Sequence, residues 1–233
     1  MYYYPRRHPP RLATLLDYFA PAPRQRISFD AMRSCPSGDG GAVLVLPGIL
    51  RGDRQTALFR DHLRMLGYTA HGWELGLNLG PRKVTLEALS RRVRDLAAAH
   101  GPVRIVGFSM GGLLARWIAQ TRPAAVRQVI SVVSPFGAPI DSAWLPLRPF
   151  LSAWSDVDIW GLAVVVGQTP RVPWAAIYSS RDGVVAWQAC LDPAAPERCF
   201  EVPVRHRWAP REAAVFRQVA ACLAAPDCVP PTR

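Results

Sequence analysis

Short apolar runs alternate with amphipathic stretches from residue 42 to residue 224. Ala42 to Leu46, Val103 to Val106, Val129 to Val133 and Trp174 to Tyr178 are almost wholly apolar. This is the pattern of strands covered on both faces. Tyr68 to His71 and Phe200 to Val204 read as shorter strands. Between them, Leu58, Phe59, Leu63 and Leu66 recur at helical spacing and stop at Gly67. Leu86, Leu89, Val93 and Leu96 do the same before Gly101-Pro102, with Thr85 placed to cap that helix. Met110, Leu113, Leu114, Trp117 and Ile118 form a third stripe. Phe216, Val219, Ala220 and Leu223 mark a last helix over about residues 210–224. Strand and helix in turn predict an α/β, doubly wound, mainly parallel sheet of about six strands with helices on both faces.

Two segments break the rhythm. Residues 1–40 are rich in proline and arginine, and Leu12, Leu15, Leu16 and Phe19 suggest one short helix there, packed on the domain. Residues 140–173 carry Trp144, Trp154, Trp160, four prolines and the apolar stretch Gly161 to Val166. They are expected to form a cap or lid inserted at the carboxyl edge of the sheet. With 233 residues, half of them hydrophobic, the chain suits one domain with a substantial core.

Charge narrows the partners. The formal net charge is +11, and of the 28 basic residues only Lys83 is lysine. The arginines are scattered, not ranged in one stripe, which argues against nucleic acid. So basic a surface suits anionic substrates or peripheral contact with an anionic membrane. No apolar run approaches eighteen residues, so stable membrane insertion is not expected. The first residues lack a secretory apolar region, because Leu12 to Phe19 is short and interrupted by Asp17. A cytoplasmic location and reduced thiols are therefore expected. Cys190 with Cys199, and Cys222 with Cys228, are the pairs that could bridge in an oxidising compartment. No Cys-x-x-Cys occurs, so no metal site is expected.

The chemistry concentrates at Gly107-Phe108-Ser109-Met110-Gly111-Gly112, between the strand at 103–106 and the helix that follows. A serine on a sharp strand-to-helix turn presents its hydroxyl at the sheet's end, and Gly107 and Gly111 leave room for the turn. Serine is a weak nucleophile unless a base takes its proton and a carboxylate orients the base. Of the five histidines only His206 follows Ser109. Among the carboxylates between them, Asp182 lies in a turn just after the strand Trp174 to Tyr178, and Asp141 is the alternative. The oxyanion of an acyl-transfer intermediate needs two donors. The N–H of Met110 is one; the other falls in Pro47-Gly48-Ile49-Leu50, with Ile49 preferred and Leu50 the alternative.

Together these residues resemble the serine hydrolases of the α/β-hydrolase superfamily, in particular its small bacterial esterase and lipase-like members. The resemblance spans roughly residues 42–223. It rests on Pro47-Gly48-Ile49-Leu50, the elbow around Ser109, Ser134-Pro135-Phe136-Gly137, Tyr178-Ser179-Ser180-Arg181-Asp182-Gly183-Val184-Val185, and His206. It implies a Ser109–His206–Asp182 triad that cleaves an apolar or lipid-like carboxylic ester through an acyl-enzyme, without cofactor. The chain has Pro47 where many relatives have histidine, and Arg205 where many have glycine. An acyltransferase or thioesterase would use the same residues, and a binding module on the same scaffold would not use them at all. Leu50, Trp73, Phe136, Trp144, Trp154 and Trp160 are the residues expected around the substrate.

Overall fold

The computed structural model describes Asp17, Ile27, residues 32–138 and residues 155–225. Six strands form one sheet: β1 (Ala42–Leu46), β2 (Thr69–Gly72), β3 (Val103–Phe108), β4 (Val126–Val132), β5 (Trp174–Tyr178) and β6 (Cys199–Glu201). Their order is β2-β1-β3-β4-β5-β6, and every neighbouring pair is parallel. The helices are α1 (Asp53–Met65), α2 (Lys83–His100), α3 (Met110–Thr121), α4 (Ile159–Gly167) and α5 (Ala213–Ala224).

The apolar runs divide between two layers as strand geometry requires. Val43, Val45, Val106, Phe108, Ile130, Val132 and Ile177 face α1 and α5, against Phe59, Leu63, Phe216 and Val219. Leu44, Leu46, Ile105, Val129 and Ala176 face α2, α3 and α4, against Leu89, Val93, Leu114, Ile118 and Val166. Chain order reverses between β1 and β3, and a crevice at the carboxyl ends of such strands is where doubly wound sheets bind ligands. The loop after β1 and the turn after β3 both open there.

Several boundaries differ from the sequence reading, for reasons visible in the contacts. Thr85 does not cap α2. The helix starts at Lys83, whose N–H is received by Asp156 Oδ1 at 2.8 Å, so the cap comes from a distant segment. The stretch 161–166 belongs to α4, although its three valines and one glycine are poor helix formers. Asp158 caps its first turn by receiving Trp160 N–H, and Arg116 donates to Val166 O near its end. β6 ends at Glu201, because after Val202 the chain turns and Val204 N–H is received by Val202 O at 2.9 Å. Leu58 is 42% exposed; Thr56, Phe59, His62 and Leu63 form the buried face of α1.

The short helix expected around Leu12 to Phe19 lies outside the described residues, apart from Asp17. Cys228 and Asp141 lie outside them too. Cys190 and Cys199 are free thiols, and burial pushes both above the ordinary thiol value. No described helix is long and apolar enough to cross a membrane.

Candidate active site

β3 delivers Ser109 on a backbone that glycine would favour. Its φ is 53° and its ψ −119°. The turn holds because its surroundings leave no alternative. Ser109 N–H reaches Val132 O of β4 at 2.8 Å, and Ser109 O receives Gly112 N–H at 2.9 Å. A Cβ on Gly107 would run into the carbonyl oxygen of Gly111, and one on Gly111 would lie 2.5 Å from Leu46 O. These glycines are required by close approach. Leu50 and Val133 also have left-handed φ, 55° and 46°, and line the same cavity as Ser109. For a β-branched residue this is a true outlier, and strain of this kind gathers at functional sites.

The loop after β5 carries Asp182, nearly buried at 6% exposure. Its Oδ1 receives the N–H groups of Val184 and Val185 at 2.8 and 2.9 Å, which fixes the carboxylate plane. Its Oδ2 lies 2.7 Å from His206 Nδ1. His206 opens a short 3-10 turn, His206–Arg211, beyond β6. Its Nε2 lies 3.0 Å from Ser109 Oγ. The side chain of Ser179 ties the two loops, donating to Val204 O at 2.6 Å and receiving Val204 N–H at 3.1 Å. Burial lowers the affinity of His206 for a proton. Asp182, by charge and by hydrogen bond, and then Asp17, by charge, more than offset this, so its pKa stands above the ordinary 6.5. The carboxylate, imidazole and hydroxyl thus form one hydrogen-bonded sequence, able to draw a proton from Ser109.

The loop after β1 narrows the choice of donors facing Ser109. Gly48 N–H is received by Gln55 Oε1 at 3.0 Å, and Leu50 N–H by Asn78 O at 2.7 Å. Ile49 N–H lies between them, with no acceptor among the described residues. Met110 is the first residue of α3, where N–H groups lack an acceptor within the helix. Both residues line the cavity.

That cavity measures about 950 Å³. Leu113, Val133, Val184 and Val185 make part of its wall, and Arg51, Arg54, Arg207 and Arg211 stand exposed around it. Leu50 is on the wall. The three described aromatic residues expected there, Trp73, Phe136 and Trp160, are not on the wall. Trp73 is buried in the α2–α3 layer, its indole N–H donating to Gly76 O at 3.0 Å. Its neighbour Leu77 reaches the cavity instead. Phe136 is buried beneath the Arg116 guanidinium, 3.7 Å from ring centre to Cζ. Trp160 is 64% exposed on α4, away from the cavity wall. Trp144 and Trp154 lie outside the described residues. Residues 155–173 contribute nothing to the wall; they lie against α2 and α3. Among the described residues no three metal-ligating side chains converge.

Three residues of the site carried no sequence prediction: Asp17, Gln55 and Asn78. Asp17 had one visible signal, a lone carboxylate within the apolar stretch Leu12 to Phe19. Gln55 and Asn78 act through single contacts with the loop after β1 and had none.

No protein-family model matches the chain, and no curated protein matches it in sequence. Solved structures do. A pyrethroid hydrolase superposes with a TM-score of 0.54 at 16% identity, covering 80% of this chain and 98% of that one. A methylesterase from Arabidopsis gives 0.54 at 14%, covering 79% and 97%. The alpha/beta hydrolase domain-containing protein 10 from mouse gives 0.52 at 17%, covering 81% and 90%. At these identities the likeness is one of architecture, and the chain has the α/β-hydrolase fold.

Proposed function

We propose that the protein is a serine hydrolase that cleaves carboxylic esters through an acyl-enzyme. The observation that carries this reading is the position of His206, 2.7 Å from Asp182 and 3.0 Å from Ser109 through its two ring nitrogens. The esterase and hydrolase neighbours agree with it.

In this reading His206 Nε2 takes the Ser109 proton as Oγ bonds to the ester carbonyl carbon. The carbonyl π electrons move to oxygen, where the N–H groups of Ile49 and Met110 hold the charge. Asp182 fixes the tautomer and stabilises the imidazolium. The bond to the leaving alcohol then breaks, and His206 returns the proton to it. Water repeats the sequence on the acyl-serine, with His206 first as base and then as acid, and frees the carboxylic acid. The apolar wall suits an acyl chain. The arginines at the mouth support an ester that carries or adjoins negative charge, including one presented at an anionic lipid surface. No metal or organic cofactor takes part. We assign the whole chain to one domain, with residues 1–40 as an extension and 140–173 as an insertion, and a cytoplasmic setting.

The test is turnover of short and medium acyl p-nitrophenyl esters, together with covalent labelling by a fluorophosphonate. The purified protein should do both, and Ser109→Ala should do neither. Equal turnover by Ser109→Ala would remove Ser109 from the reaction.

A further inference from the structure

Asp17 is 1% exposed, yet it is separated by more than 160 residues from everything its carboxylate holds. Its Oδ2 receives Gly183 N–H at 3.0 Å and His206 N–H at 2.9 Å. Its Oδ1 receives Arg207 N–H at 3.1 Å. Gly183 follows Asp182 in the chain, and His206 is the residue that Asp182 contacts. One carboxylate thus bridges the backbones of two loops that leave the sheet at different strand ends. A buried carboxylate is costly unless such donors surround it. Three charge-assisted bonds from backbone amides also make a stiff junction. The carboxylate lies on the wall of the cavity shared with Ser109 and His206.

We propose that Asp17 is a positioning residue, whose carboxylate sets the Gly183 and His206–Arg207 backbones so that His206 spans Asp182 and Ser109. This rests on the serine-hydrolase reading. Asp17 touches no reacting atom; it acts through His206. Its charge lies close enough to support the imidazolium that forms when His206 takes the serine proton, alongside Asp182. The other groups around His206 are Ser109 at the elbow, Asp182 on the loop after β5, and the exposed Arg205 and Arg207 on its own segment. Arg51, Asp53, Arg54 and Arg211 line the same cavity.

Asp17→Asn removes the charge and puts a donor where one acceptor oxygen was. With protein quantified by fluorophosphonate labelling, kcat should fall roughly tenfold to a hundredfold, the scale of losing alignment without losing a reacting group. KM should stay within about twofold, because no apolar side chain of the wall is replaced. The acid limb of the kcat/KM profile should move to lower pH, because a negative charge beside the imidazole is gone. A folded Asp17→Asn with unchanged kcat, or with an unmoved acid limb, overturns the proposal. So does a variant that loses only thermal stability. Asp17→Glu keeps the charge at the wrong reach, so its limb should stay near the parent's while kcat falls. Should neither variant fold, the parent protein decides. The amides of Gly183, His206 and Arg207 should be protected from hydrogen exchange, and rapid exchange at all three overturns the proposal. The underlying reading fails separately: active Ser109→Ala or absent labelling of the parent removes the triad, whereas inert Ser109→Ala beside a normal Asp17→Asn removes only the role of Asp17.

Discussion

Leu50 donates its N–H to the carbonyl oxygen of Asn78 at 2.7 Å, and this bond is half of a clamp. Asn78 is fully buried. Its N–H reaches back to Arg51 O at 2.8 Å, its side-chain amide donates to Pro47 O at 2.9 Å, and its Oδ1 receives Gly80 N–H at 3.0 Å. The loop that presents Ile49 is thereby fixed at both ends. Asn78→Ala should leave the Pro47 carbonyl without its donor, at a cost of about 1–3 kcal/mol. It should also lower kcat more than it raises KM, since the loop proposed to hold the oxyanion loosens. Urea denaturation and steady-state kinetics measure the two effects.

In the proposed reaction the pairing of His206 with Asp182 sets the pH dependence. His206 must there be neutral to accept the serine proton, and its pKa stands above the ordinary 6.5. The kcat/KM of the parent protein should therefore rise with pH through a midpoint higher than that of an ordinary histidine. Asp182→Asn should cost about 10⁴-fold in kcat by presenting the wrong tautomer. The same shift has a stability sign. Folding favours protonated His206, so that contribution is complete below pH 6.5 and is lost as pH climbs past the folded-state value.

Arg116 lies fully buried in α3. It donates from Nε to Val166 O at 2.7 Å and from a terminal nitrogen to Gln168 O at 2.9 Å, over the faces of Phe136 and Trp174. Burial lowers its pKa to about 10, which Asp192 partly offsets, so it stays charged at neutral pH. Arg116→Met should destabilise the fold by about 1–3 kcal/mol through the orphaned Val166 carbonyl. Limited proteolysis should then cut first around residues 155–173. Arg116→Lys should recover little, because one ammonium does not reproduce the two-pronged contact.

Gly107→Ala places a methyl group against the backbone of Gly111 and Gly112, which cannot move aside without dismantling the start of α3. The expected outcome is loss of fluorophosphonate labelling, with any soluble fraction of lower Tm.

What the sequence made legible follows a physical divide. Val103 to Phe108 and Trp174 to Tyr178 are recognisable because buried parallel strands must be apolar on both faces. Ser109, Asp182 and His206 are recognisable as candidates because their chemistry restricts the residue types and their order. Trp73 and Phe136 were expected near the substrate because they stand beside the right loops in the chain. In the fold both rings turn into the α2–α3 core. Asp17, Asn78 and Asp156 serve backbone groups far away in sequence. A single acceptor placed against a distant N–H leaves no periodicity to read. Arg116 left a faint mark, as one arginine among Leu113, Leu114, Ala115, Ile118 and Ala119, all of which are buried.

The left-handed backbones of Leu50, Ser109 and Val133 have a consequence for anyone engineering the protein. A left-handed residue with a side chain costs about 1–2 kcal/mol, so a library screened for heat tolerance will drift toward glycine at these sites. At Ser109 that change deletes the proposed nucleophile, and at Leu50 and Val133 it strips side chains from the cavity. Selection by temperature and selection by turnover therefore pull the same three codons apart. A thermostabilising campaign should hold these positions fixed and seek its gains on the outer faces of α1, α2 and α5.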